Sequence, residues 1–152
     1  MFVRVLGIDP GLTRCGYAVV DGRGVQAQAA SMGVIRTSSS DPLPQRLAEL
    51  RREVTELIAE FSPDVVAVEQ VFFQVNVRTA MATAQACGLA LAEGAIAGCE
   101  VIQYTPNQVK DAVAGGGGAD KQQVQKMVQQ RLKLSTLPKP ADAADAAQGT
   151  QR

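Results

Sequence analysis

Four carboxylates occupy positions from which acids can do chemistry. Asp9 closes the apolar run of Val5, Leu6 and Ile8 in "VLGIDPG", and Glu69 closes "VVAVEQ". Asp142 and Asp145 stand three apart in "PADAADA", a spacing that puts both on one side of a helix. They fall in its first turn, where the N-terminal dipole favours negative charge. Each acid alone has an ordinary reading. Asp-Pro-Gly is a common turn sequence, a strand-end glutamate can face water, and helices often start with acids. Taken together, two acids ending buried strands and a pair on a helix packed nearby would bring like charges close. Repulsion and desolvation would then raise their proton affinities unless a cation neutralised the cluster. Two Mg²⁺ or Mn²⁺ ions about 3.5–4 Å apart, bridged by such acids, are the device of in-line phosphodiester cleavage.

The composition narrows the alternatives. No histidine occurs in the 152 residues, which removes Ser-His-Asp triads, Cys-His pairs, imidazole zinc sites and a histidine general base. What remains is carboxylate, lysine, backbone or a bound ion, and carboxylate oxygens favour hard cations. Cys15, Cys87 and Cys99 show no C-x-x-C spacing, so reduced thiols in a cytoplasmic protein are expected. The opening "MFVRVL" lacks the pattern of a signal peptide. No apolar run nears the roughly 18 residues of a membrane span, so no membrane association is expected. The net charge is zero, but unevenly spread. Lys110, Lys121, Lys126, Arg131, Lys133 and Lys139 face only Asp111 and Asp120 between residues 110 and 139, whereas residues 41–64 are rich in acids. One basic surface on a neutral chain is enough to bind phosphates.

The elements that must position these residues follow from the apolar pattern. Residues 3–9, 15–20 and about 25–36 read as strands, with "DGRG" at 21–24 as a hairpin turn. From Leu43 to Phe61 the period becomes helical, through Leu47, Leu50, Val54, Leu57, Ile58 and Phe61. "SPD" at 62–64 ends that helix and "VVAVE" at 65–69 is a short buried strand. A helix rich in small residues is expected from about Asn76 to Ala97, then a strand at 100–104, then a helix announced by "TPNQ" at 105–108. The tetraglycine at 115–118 separates it from a helix running from Asp120 to about Leu134, and "LPKP" precedes a final short helix. Residues 1–152 thus read as a single α/β domain with a mixed sheet of five strands flanked by helices. With 46% hydrophobic residues, the chain can bury a sizeable core.

"LGIDPGLTRCGYAVVD", "VAVEQVFF", "QVKDAVAGGGGADKQQVQKMV" and "PADAADA", in this order, closely resemble the RuvC type of Holliday-junction resolvase across nearly the whole chain. The resemblance implies a ribonuclease H-like fold and a homodimer that symmetrically nicks two opposite strands of four-way junction DNA, in recombination and repair. It implies that Asp9, Glu69, Asp142 and Asp145 bind the metal, Mg²⁺ or Mn²⁺, as two ions per site. It further implies that Lys110 and Lys121 act near the cleaved phosphate, by phosphate contact or by stabilising charge in the transition state. Partnership with a branch-migration motor of the RuvA and RuvB type is also implied.

Phe72 and Phe73 follow Glu69 in a chain with few aromatics. The resemblance gives Phe72 a stacking role against junction bases, worth roughly 1–3 kcal/mol per base, while one of the two is expected in the core. Lys126 is read as surface charge with secondary DNA contact. The helix from Asn76 carries Ala80, Ala84, Cys87, Gly88, Leu91 and Ala95 at helical spacing, and it is expected both to pack on its sheet and to form the two-fold interface. "GGGGADK" fails as a P-loop, because Asp120, Lys121 and Gln122 stand where Gly, Lys and Ser/Thr are required. It reads instead as a loop leading into a helix N-terminus suited to phosphates. Where the family usually continues as an apolar helix, this chain reads Ala147-Gln148-Gly149-Thr150-Gln151-Arg152, which is expected to hold Asp142 and Asp145 less firmly. The alternative is a protein that binds four-way junctions without cutting them. "GIDPG" also resembles the first phosphate loop of actin-like ATPases, but 152 residues leave no room for the two domains such folds need.

Overall fold

A computed structural model describes residues 2–23, 26–70 and 77–105. Three strands come first: β1 (Phe2–Asp9), β2 (Arg14–Arg23) and β3 (Gln26–Arg36). They are followed by α1 (Leu43–Phe61), β4 (Val65–Glu69), α2 (Val77–Ile96) and β5 (Glu100–Tyr104). The strands form one mixed sheet in the order β3-β2-β1-β4-β5. β1, β2 and β3 pair antiparallel, while β4 and β5 run parallel to β1 on its other side. The five strands and two helices match the periodicity of the sequence, with α1, β4 and β5 at the expected residues. The first hairpin differs. β2 runs through the "DGRG" segment as far as Arg23, which pairs with Gln26. Asp21 has ladder partners on both sides, Arg4 and Gln28, and its carboxylate takes two hydrogen bonds from the Arg4 guanidinium at 2.7 and 3.0 Å. Those contacts keep Asp21 in the strand and push the connection beyond it.

Alternation along the strands sorts the side chains into two layers. Leu6, Ile8, Cys15, Val19, Ile35, Val66 and Val68 form a buried cluster with Leu50, Val54, Leu57 and Ile58 of α1 and Ala86, Cys87 and Ala90 of α2. Val5, Ala67 and Tyr104 form a second cluster with Val3, Val65 and Ile102 around them. These residues alternate with the first set and so lie on the opposite face. Leu6, Val19, Val66, Val68 and Ala67 expose no surface at all. Burial of each valine or leucine is worth about 1.5–3 kcal/mol, so the central strands form the most firmly held part of the sheet.

Both helices end for identifiable reasons. Ser62 adopts a left-handed φ of 46° and its N–H donates to the Ile58 carbonyl at 2.9 Å. Pro63 then disallows a further turn. At the end of α2, Gly98 has φ 80°, and Cys99 N–H reaches back to the Gly94 carbonyl at 3.0 Å, closing a Schellman cap. One acid is buried between the helices. Glu93 of α2 is 7% exposed and accepts from Arg51 Nε at 2.7 Å and Thr55 Oγ1 at 3.1 Å, both on α1. Pairing of this kind is what makes a buried carboxylate tolerable. The three cysteines are free thiols. Among the described residues no helix is long and apolar enough to cross a membrane.

Candidate active site

The parallel pairing of β1 with β4 decides where the first two acids meet. Val5 to Ile8 lie opposite Val65 to Val68, residue for residue. Asp9 and Glu69 are the next residues on their strands and the last of each. Adjacent strands are about 4.8 Å apart, so two carboxylates 60 positions apart in sequence stand side by side at one end of the sheet. Ile8 and Val68 point into the cluster beneath the helices. Alternation therefore turns Asp9 and Glu69 to the other face, with Val5 and Ala67. Strand ends give the acids an exit from the core without placing them in bulk water: both are half-buried.

The chain leaves Asp9 through a tight four-residue loop, Pro10 to Thr13, before β2 begins. Gly11 permits this loop, since a Cβ there would run into the Arg14 carbonyl oxygen. The loop is clamped from outside. Thr37, just beyond β3, donates from Oγ1 to the Leu12 carbonyl at 2.5 Å and from its backbone N–H to the Thr13 carbonyl at 3.3 Å. Arg46 of α1 donates from Nε to Thr37 Oγ1 at 3.0 Å and from Nη2 to Thr13 Oγ1 at 2.8 Å. Thr37 is only 5% exposed. The turn reading of "DPG" and the chemical reading of Asp9 thus coexist in one segment.

The donor set suits a hard divalent cation. Asp9 and Glu69 offer only carboxylate oxygens, the ligands that Mg²⁺ and Mn²⁺ take. The Oε2 atom of Glu69 is buried and accepts no hydrogen bond among the described residues, although Glu69 engages other groups. No third His, Cys, Asp or Glu joins these two among the described residues. Asp142 and Asp145 lie outside them, as do Lys110, Lys121, Lys126, Phe72, Phe73, the tetraglycine and the helices expected after residue 105. The sheet therefore brings together two of the four expected acids and leaves the other assignments where the sequence put them.

A family model described as "Crossover junction endodeoxyribonuclease RuvC" matches residues 5–148. The chain belongs to the RuvC family. The RuvC of Salinispora arenicola is 57% identical over 145 residues, which cover 95% of this chain and 83% of that protein. The RuvC of Natranaerobius thermophilus is 46% identical over 142 residues, covering 93% and 88%. Among solved structures, Thermus thermophilus RuvC in complex with a Holliday junction substrate superposes with a TM-score of 0.93 at 37% identity, covering 98% of this chain and 91% of that one. The five-stranded mixed sheet is accordingly the ribonuclease H-like sheet of RuvC nucleases, and the enzyme class is a metal-dependent endonuclease.

Sequence reasoning passed over three residues that matter here. Thr37 and Arg46 sit in stretches read as loop and helix surface, and nothing in their spacing marks them as partners of the Asp9 loop. Glu93 could have been suspected from its place in a helix otherwise built of small and apolar residues. The small-residue stripe of α2 divides: Ala80 and Cys87 are buried, Ala84 and Leu91 half-buried, Gly88 and Ala95 exposed. Packing on the sheet, one of its two expected uses, is thereby met.

Proposed function

We propose that this chain resolves Holliday junctions by symmetric, metal-dependent nicking of two opposite strands. The observation that carries the reading is the side-by-side placement of Asp9 and Glu69 at the ends of adjacent parallel strands, in a chain of the RuvC family. These two acids, joined by Asp142 and Asp145, would hold Mg²⁺ or Mn²⁺, with two ions per site. Such ions, when bound, supply Lewis-acid stabilisation for in-line phosphodiester hydrolysis.

The protein's own groups do the remaining work. The half-buried strand ends fix the carboxylates, so their charge is presented in one place and needs no rearrangement during reaction. Lys110 and Lys121 hold the phosphate to be cut, Lys126 adds a backbone contact, and Phe72, beside Phe73, stacks on junction bases. A homodimer supplies two such sites, one for each strand nicked. The exposed side of α2, with Gly88 open to space and Met81 58% exposed, is suited to that contact. We infer one nuclease domain over residues 1–152, acting in the cytoplasm with a branch-migration motor of the RuvA and RuvB type.

The test is a labelled synthetic four-way junction incubated with the protein, with and without Mg²⁺ or Mn²⁺. Paired nicks that need the metal support the proposal. The Asp9→Asn variant should retain junction binding and lose nicking, because it removes charge from the site while keeping its shape. Full nicking by that variant, or retention of the junction without nicks by the unaltered protein, would overturn it. The second outcome would favour the non-cleaving binder.

A further inference from the structure

We propose that Arg14 and Arg36 form a phosphate-binding pair that holds the DNA strand beside Asp9 and Glu69. This inference rests on the nuclease reading above and assigns a contact that the lysines do not supply. Its basis is the register of the antiparallel strands. Asp9 pairs with Gly16, and Gly16 pairs with Val34. Two residues further towards that end of the sheet, Arg14 pairs directly with Arg36. Cross-strand partners share a face, and so do residues two apart. Cys15 and Ile35, which lie between, point into the cluster beneath the helices. Arg14 and Arg36 therefore project from the face that carries Asp9.

Both arginines are exposed. With a rise of about 3.3 Å per residue and strands about 4.8 Å apart, the pair lies about 7 Å beyond Asp9 along the sheet, one and two strands over. A nucleic-acid strand carries a phosphate for about every 3.4 Å of helix axis, so the guanidiniums are placed for phosphates two to three removed from the one at the carboxylates. Two neighbouring guanidiniums hold a phosphate more firmly than one, among the described residues no ion pair neutralises Arg36, and a planar guanidinium is the side chain best shaped to meet a phosphate.

The pair is also built on a rigid base. Thr13 and Thr37, the immediate neighbours of Arg14 and Arg36, are joined through the Thr37 N–H and the Thr13 carbonyl at 3.3 Å. Arg46 bridges their two hydroxyls, at 2.8 Å to Thr13 and 3.0 Å to Thr37. The β2–β3 ladder is thus tied off one residue beyond the arginines. Their backbones are held before any DNA arrives, which lowers the entropy lost on binding.

The experiment measures junction affinity against salt in a chelator, so that no cutting occurs, for the unaltered protein and for R14Q, R36Q and the double variant. Each lost phosphate contact should reduce the slope of log K against log salt by about 0.9. For the double variant, the affinity lost between 50 and 200 mM salt should be smaller by about 12-fold. The R14K/R36K variant should restore the slope, which a purely structural role would not require. If the double variant fails to fold, the single variants carry the test. Unchanged slopes in a protein that still prefers a four-way junction to a duplex would overturn this inference alone. Loss of that preference in the unaltered protein would instead overturn the function on which it rests.

Discussion

Thr37→Val tests whether the loop after Asp9 is held from outside or only by its own turn chemistry. The substitution keeps the branched shape and deletes one hydroxyl, which at present donates to the Leu12 carbonyl and accepts from Arg46 Nε. The two lost bonds do not weigh equally. Arg46 is half-buried and can turn its Nε–H to water. Leu12 is 6% exposed and Thr37 5%, so the carbonyl left behind has no ready replacement. An unsatisfied buried acceptor costs about 1–3 kcal/mol, and in a protein of this size 1 kcal/mol lowers Tm by about 2–4 °C. The expected fall is therefore roughly 2–12 °C. Thr37→Ser is the control. It keeps the hydroxyl and loses a methyl worth about 0.8 kcal/mol, with a further penalty if a cavity remains. A double-mutant cycle with Arg46→Met should give a coupling of 0.5 kcal/mol or more, as groups sharing one hydrogen-bond network do. Thermal melting of the unaltered protein and the four variants gives every term. A valine variant as stable as the serine variant, together with additive effects of the Thr37 and Arg46 changes, would refute the clamp.

Gly11 and Cys87 lead to two further outcomes. Gly11→Ala places a Cβ against the Arg14 carbonyl oxygen; because the obstacle is backbone, the loop must move, and a loss of about 1–3 kcal/mol is expected. Nicking should fall with stability, and a variant with unaltered melting and nicking would mean that the loop is not constrained there. Burial pushes the Cys87 thiol above its ordinary range, with the Gln103 hydrogen bond opposing weakly. A group whose folded-state pKa is raised contributes stability that is complete below the unfolded value and is lost as pH rises through the folded one. Stability should thus decline as pH rises above about 8.5, the ordinary thiol value. Iodoacetamide should modify Cys87 more slowly in the folded protein than in the unfolded chain, and equal rates would contradict its burial.

Much of the sheet could be read from local pattern. β-branched runs punctuated by Pro, Gly and Asp specify β1, β4 and β5, and the period of Leu50, Val54, Leu57 and Ile58 specifies α1, whose buried residues are those four. The first hairpin was misplaced because its turn chemistry is overridden by a distant partner: Arg4 holds Asp21 in the ladder from 17 residues away. The Thr37–Arg46 clamp was invisible for a related reason. Serine, threonine and arginine abound on loops and helix surfaces, and only the fold reveals that two of them meet the Asp9 loop. Asp9 and Glu69 were legible because an acid that ends an apolar run is chemically out of place wherever it occurs. Their adjacency followed from the family resemblance and not from local pattern, since the distance between them depends on strand order.

That dependence has a consequence for how the site tolerates change. If β1 and β4 were not neighbours, Asp9 and Glu69 would be at least one strand spacing further apart, about 10 Å instead of about 5 Å. That is too far for carboxylates to share ions. The sharing is secured by Val5 to Ile8 against Val65 to Val68, residues whose side chains are chosen for packing and carry no chemistry of their own. A slip of one residue in that pairing would turn one acid into the apolar layer beneath α1 and α2 and bring a valine or isoleucine to the other face. Both layers resist it, because Ile8 and Val68 are buried on one side and Val5 and Ala67 on the other. The hydrophobic alternation of two short strands thus fixes the separation of the acids through residues that take no part in the chemistry.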